Sequence, residues 1–236
     1  MSWFGLDPQS IAARFAQAGP SARVPTLVES VVRGVLGFTA VSVAGFVPWA
    51  IGGRWLHRSV GEVGMYIACA LVFIVLSGLL LHRLIIGPGS LSRFYKLFGI
   101  AFTAYSAAWI GIYIPLGGDA GGSYGLLAGT MVMGGLFSLA FGAPSAAAPS
   151  IAALFLFNCL GYFGGGWVEG VIGHNTALSI AGHTLSKANR MTLAMLSWGV
   201  CYGAGLGLGL SLSFYFCQAP ARRLIRGEPV SPESAG

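Results

Sequence analysis

Again and again this chain runs for 18 or more residues without one charged side chain, and this restricts its fold more than any motif it carries. An α-helix rises 1.5 Å per residue, so about 20 apolar residues carry it across the roughly 30 Å of hydrocarbon in a bilayer. Charged residues make up only 8% of the 236, against about a quarter in a soluble domain. A surface facing water cannot be clothed with so few. The expected fold is therefore all-α, a polytopic membrane helical bundle whose solvent is the lipid bilayer.

The apolar runs predict six spanning helices, at 27–51, 63–81, 97–116, 123–141, 149–168 and 192–217. Glycine and proline punctuate them: Gly52-Gly53, Gly87-Pro88-Gly89, Pro115 with Gly117-Gly118, and Pro220 after the last. Gly142-Ala143-Pro144-Ser145 favours a tight reversal, making the fourth and fifth helices a hairpin. Ahead of the first span, Asp7 and Pro8 read as an N-cap and first helical residue. A short helix over 8–17 follows, with Ile11, Ala12 and Phe15 on one side. It is expected to lie in the membrane interface, anchored further by Trp3 and Phe4; a loosely ordered tail is the alternative. No cleavable signal peptide is read at this end. The chain thus divides into a cytoplasmic or interfacial segment 1–26, a six-helix transmembrane domain 27–218 and a cytoplasmic tail 219–236 whose end reads as disordered.

Residues 166–186 resist assignment, being too polar and glycine-broken for an easy span and too apolar for an ordinary solvated loop. They read as re-entrant, interfacial or a seventh crossing. Loop charges bear on the choice. With six helices, nine basic residues share one side (Arg14, Arg23, Arg33, Arg83, Arg93, Lys96, Arg222, Arg223 and Arg226), and Arg54, Arg58, Lys187 and Arg190 occupy the other. A seventh crossing changes nine against four into eight against five, a poorer fit to the positive-inside rule. Six helices with both termini cytoplasmic, in a bacterial inner membrane, is the expected topology. Trp49, Trp55, Tyr66, Tyr113, Tyr124, Trp167 and Trp198 then fall toward the outer interface.

The net charge of +6 reports topology and anionic lipid contact, and no basic run is dense enough for nucleic acid. The 37 glycines lack collagen periodicity and point to close helix packing. The sharpest strip is Gly199, Gly203, Gly207 and Ser211 at steps of four, which lets another backbone come near. A leucine at Gly203 is expected to disturb it more than Leu206→Ala on another face.

Candidate polar sites are few. Glu29 and Arg33, four apart, have the order of a helical ion pair at the start of the first span. Asn158 stands near the middle of the fifth span, where its carboxamide must find an interhelical hydrogen bond or line a solute path. Glu169, His174 and His183 hold a metal only if the 166–186 segment folds back, since their spacings share no helical face. The four histidines are not placed as a haem ligand set. The cysteines have no C-x-x-C spacing, and a Walker loop, H-E-x-x-H and a dinucleotide fingerprint are all absent. No catalytic residue, cofactor or metal site is expected.

Set against each other, the first three and last three helices make inverted halves, with 82–96 and 166–190 as corresponding long connections. That arrangement recurs in transporters and suggests a small channel, a permease or the membrane component of a transporter. The competing role is a non-catalytic membrane subunit or assembly partner, whose glycine strips bind other subunits or a second copy. An enzyme ranks third.

Overall fold

The computed structural model describes residues 4–19 and 23–228, apart from the side chains of Arg54, Glu62, Val63 and Tyr66. Trp3, expected as an anchor, and the tail beyond residue 228 lie outside the described residues. The elements are α1 (Pro8–Gln17), α2 (Leu27–Ala50), α3 (Gly53–Leu81), α4 (Ser90–Leu116), α5 (Gly118–Ala140), α6 (Ala147–His174), α7 (Lys187–Cys217) and α8 (Ala219–Ile225). A minimal antiparallel hairpin, β1 (Ser179–Ile180) with β2 (His183–Thr184), joins α6 to α7. Six helices, in α2 through α7, are long and apolar enough to cross a membrane.

The helices overrun the predicted spans. α4 begins at Ser90 instead of 97, α6 continues to His174 and α7 starts at Lys187. A hydropathy window finds the hydrocarbon-length core, while the helix itself continues into polar surroundings where its ends can be hydrated. Residues 54–60, between the first two predicted spans, are helical too. They are the first part of α3, set off by Gly61, whose φ of 72° and ψ of 179° break the helix. Glycine tolerates this backbone, which carries a steric cost for residues with a Cβ.

Residues 166–186 are neither a re-entrant loop nor a seventh crossing. Residues 166–174 complete α6, and 175–186 form an exposed turn and hairpin before α7. Ala181 and Gly182 both take positive φ, 50° and 80°, as a two-residue type I′ hairpin turn demands. At its base Arg190, buried, donates from Nε to the Gly173 carbonyl at 2.9 Å.

α7 is the central helix, packed most extensively on α6 and then on α2, while α4 packs on α5 and α2 on α3. An aromatic ladder runs inside the bundle: Phe94, Phe98 and Phe102 of α4 stack at 5.1 and 5.3 Å, and Phe214 of α7 joins Phe94 at 5.7 Å. Outward, Ile67, Leu71, Val75 and Leu79 of α3 present one exposed apolar stripe. The polarity is inverted relative to a soluble protein, as lipid-facing helices require.

α1 forms where Asp7 and Pro8 place it, with Asp7 Oδ1 accepting from Ser10 N at 2.9 Å. Its apolar side does not face lipid. Leu6 and Ile11 are fully buried, the helix packs on α8, and residues 7, 8 and 14 approach the turns at Gly142 and Gly87. α1 therefore closes one end of the bundle, the end that also holds α8 and the 82–89 and 141–146 turns.

Candidate functional site

Three polar side chains meet halfway through the bundle. Tyr105, Asn158 and Tyr202 each stand within about three residues of the midpoint of α4, α6 and α7 respectively, the depth where water is scarcest. Asn158 is fully buried and donates from Nδ2 to Tyr105 Oη at 2.8 Å. Tyr105 Oη in turn lies 3.4 Å from Tyr202 Oη. The other end of the carboxamide, Asn158 Oδ1, is buried with no hydrogen-bond partner. An unsatisfied buried carbonyl costs about 1–3 kcal/mol, so this acceptor is an open valence in the core.

Glycines let neighbouring helices close in around these groups, α5 on α4 and α6 on α7. On α5, a Cβ at Gly129 would fall 2.6 Å from Tyr105 Cδ2, and one at Gly125 would fall 2.9 Å from Trp109 Cδ1. On α6, a Cβ at Gly161 would meet the Cys201 carbonyl oxygen at 2.7 Å, bringing α6 and α7 backbone to backbone beside Asn158. Above the cluster, Trp198 Nε1 donates to the Tyr162 carbonyl at 3.1 Å, and Trp49 lies 5.8 Å from Trp198. Trp109 stacks on Tyr113 at 4.6 Å, with its buried Nε1 also lacking a partner. Aromatics therefore wall the cluster toward the hairpin end. Of the predicted outer belt, Trp55, Tyr124 and Trp167 are exposed, whereas Trp49 and Trp198 are turned into this wall.

The other sequence candidates lie apart from this cluster. Glu29 does not pair with Arg33. Its carboxylate turns back to the Thr26 backbone NH at 3.0 Å, completing a capping box, and forms its ion pair with Arg23; Arg33 is exposed. A carboxylate at the third helical position is well placed to satisfy an N-cap NH, and the positive end of the helix dipole favours it there. Glu169 is half-buried, His174 Nδ1 is 2.7 Å from its own helix's Gly170 carbonyl, and His183 is exposed in β2. Among the described residues no three His, Cys, Asp or Glu side chains gather closely enough to hold a metal.

Gly199, Gly203 and Gly207 face α2. An added Cβ would meet Val43 Cα at 3.4 Å, Thr39 Cα at 2.6 Å and the Gly34 carbonyl oxygen at 2.5 Å in turn. Gly205 and Gly209 turn the opposite side of α7 to α6, with the Phe157 oxygen and Leu154 Cα at 2.3 and 3.0 Å from their built Cβ positions.

Tyr105 and Tyr202 are not among the candidates that the sequence singles out, although it carries a signal for them. A tyrosine hydroxyl at the centre of an uncharged span needs a partner as surely as an asparagine does. The fold and site together are those of an all-helical integral membrane protein with an uncharged polar cluster at its centre. No family model, no characterised protein and no solved structure matches the chain.

Proposed function

We propose that this bundle conducts a small uncharged polar solute, and that Tyr105, Asn158 and Tyr202 are its mid-membrane contact point in a closed state. The observation that carries this reading is Asn158 Oδ1, an acceptor left open beside two tyrosine hydroxyls at the depth where a polar solute most needs a partner. The solute class follows from the site's chemistry. Hydroxyl and carboxamide groups meet there, and an ion at this depth requires a counter-charge or water.

The packing is consistent with inverted halves. Exchanging α2 with α5 and α4 with α7 turns the α2–α7 contact into the α5–α4 contact, and both are extensive. The symmetry is incomplete, because α6 lies much more closely on α7 than α3 does on α4. The assembly-partner role has less specific support. The glycine strip that would bind another subunit already faces α2 of the same chain.

By the charge asymmetry, the end closed by α1 and α8 is cytoplasmic and the hairpin end is external in a bacterial inner membrane. The test is shrink–swell light scattering of proteoliposomes, with water, glycerol and urea as probes. Protein-dependent permeation that is lost in Asn158→Leu supports the reading. Rates equal to protein-free liposomes for all three probes, with a stoichiometric partner retained through mild-detergent purification, would replace it with the subunit role.

A further inference from the structure

At the end closed by α1, a small cavity lies between the start of α2, the 84–86 turn and the end of α7. Ser30, Leu84, Ile86, Ser211, Tyr215 and Arg222 line it. Its wall is fixed by Gln218. Both polar ends of that side chain are used, Nε2 donating to the Leu84 and Phe214 carbonyls at 2.8 and 2.9 Å and Oε1 accepting from Ile86 N at 2.8 Å. The two serine hydroxyls donate to their own helix, Ser30 to the Thr26 carbonyl at 3.0 Å and Ser211 to the Gly207 carbonyl at 2.6 Å.

Arg222 is different. It is only 7% exposed, and its guanidinium carbon lies over the Tyr215 ring, 3.6 Å from the centroid. That contact is with the π face of the ring, and the guanidinium also carries N–H donors that can bind an anion. Among the described residues no carboxylate pairs with it; Arg226 beside it is turned to Glu228. Burial lowers the Arg222 pKa, with Arg226 acting in the same direction and Tyr215 against it. A buried cation without a counter-charge is costly, and an anion supplied from outside would relieve it.

We propose that Arg222 holds an oxygen of a phosphate group, with the rest of the ligand at the mouth of the cavity. Size sets that division. The space holds about one water-sized group, so it takes one oxygen and leaves the rest of a headgroup outside. A phosphate monoester or diester offers such an oxygen with the matching charge, and guanidinium N–H donors form charge-assisted hydrogen bonds to it. The cavity lies where α2 begins and α7 ends, at headgroup depth, which favours an anionic phospholipid over free phosphate.

The test uses the full-length protein in neutral detergent, delipidated, with thermal unfolding and native mass spectrometry as readouts. Dioleoylphosphatidylglycerol, the zwitterionic dioleoylphosphatidylcholine and inorganic phosphate are added separately. Phosphatidylglycerol is expected to raise the midpoint by about 5 °C and to leave one lipid bound, since a ligand of the folded state alone must stabilise it. Arg222→Gln should lose both effects, and Arg223→Gln, an exposed neighbour with the same charge change, should keep them. If Arg222→Gln does not fold, Arg222→Lys takes its place. It keeps the charge without the fork, and is expected to retain less than half of the shift. An Arg222-dependent shift from inorganic phosphate alone would assign the site to free phosphate. An equal response in the Arg222 variant, an equal response to phosphatidylcholine, or no response in the wild type overturns the proposal.

Discussion

Asn158 of α6 donates to Tyr105 of α4 at 2.8 Å while its own carbonyl oxygen has no partner among the described residues. A residue kept only to tie two helices together would be expected to have both ends of its carboxamide satisfied. A packing role and a conducting role for this half-used amide predict different losses. Interhelical hydrogen bonds in membranes contribute about 0.6 kcal/mol on average and up to about 1.7 kcal/mol. Asn158→Leu is expected to lower unfolding stability by about 1 kcal/mol or less, since it also removes an unsatisfied acceptor. Permeation in proteoliposomes should fall at least about tenfold, the loss expected when about 1.4 kcal/mol of solute stabilisation disappears from the barrier. A stability loss with unchanged permeation would leave the cluster a structural one.

Tyr105→Phe provides the complementary measurement. It deletes the shared hydroxyl, leaving Asn158 Nδ2 unpaired and Tyr202 without its neighbour at 3.4 Å. The expected outcome is a stability loss of about 1–2 kcal/mol, larger than for Tyr202→Phe, whose contact is longer. Unfolding midpoints in one detergent suffice to rank the two variants, and the reverse order would show that Tyr202 is the principal partner.

Gly203 has no room for a side chain where α7 meets α2, with Thr39 Cα, Ser42 Cβ and the Phe38 carbonyl oxygen all within 3.0 Å of a built Cβ. Two of those three are backbone atoms and cannot swing away. Gly203→Leu should therefore part the helices and cost about 3 kcal/mol or more, beyond the usual overpacking range. Leu206→Ala, expected from sequence to be the milder change, is no control. Leu206 is fully buried, and truncation there should cost about 2–5 kcal/mol through the cavity it leaves. Gly135→Leu is the proper comparison, because nothing lies within 4 Å of its built Cβ. It should fall within about 1 kcal/mol of wild type by thermal unfolding.

The six spans and their glycine and proline boundaries were legible because hydrocarbon thickness and backbone chemistry act locally. Asn158 was legible for a related reason: a carboxamide in an apolar run has nowhere to go except a partner. What could not be read was direction. Glu29 had two neighbours at reachable spacing, Arg33 and the Thr26 cap, and only the backbone at 26 decides for the cap. Ile11 belonged to an apolar side in either reading, but whether that side faced lipid or α8 depends on where the chain's two ends meet. The 166–186 segment is hard to assign because the end of a helix and an exposed hairpin average to one intermediate polarity.

Orientation follows from charge and can be checked at positions that the fold leaves free. Arg226 is exposed beyond α8, and the hairpin tip at Ala181-Gly182 is exposed at the opposite end. Reporter fusions after Arg226 and near Ser90 are expected to read cytoplasmic, and one inserted between Ala181 and Gly182 external. Ser90 is buried, so an insertion there will disturb local packing, and a truncating fusion is preferable. A cytoplasmic signal from the hairpin tip would invert the proposed topology.

The hairpin itself yields the last prediction. Had residues 166–186 folded back to line a vestibule, a solute in transit would shield them; as an exposed hairpin beyond α6 they should be indifferent to it. Single cysteines at Asn175 and Ala181, in a background lacking Cys69, Cys159, Cys201 and Cys217, are expected to react with a membrane-impermeant maleimide from the external side only. Both positions are exposed, and the rates should approach that of a free thiol, unchanged by glycerol or urea. Asn175→Cys also removes the Oδ1 acceptor that Ala177 N uses at 3.1 Å, so it should loosen the turn slightly and label no more slowly than Ala181→Cys. Ala181→Gly supplies an independent check on the same geometry. Alanine at φ +50° is disfavoured by roughly 1 kcal/mol, and glycine there should raise protection of the Leu185 amide, which bonds the Leu178 carbonyl at 2.9 Å across the hairpin base. Hydrogen exchange measures that protection directly. Faster exchange in Ala181→Gly, or maleimide labelling slowed by solute, would mean that the segment folds against the bundle instead of standing clear of it.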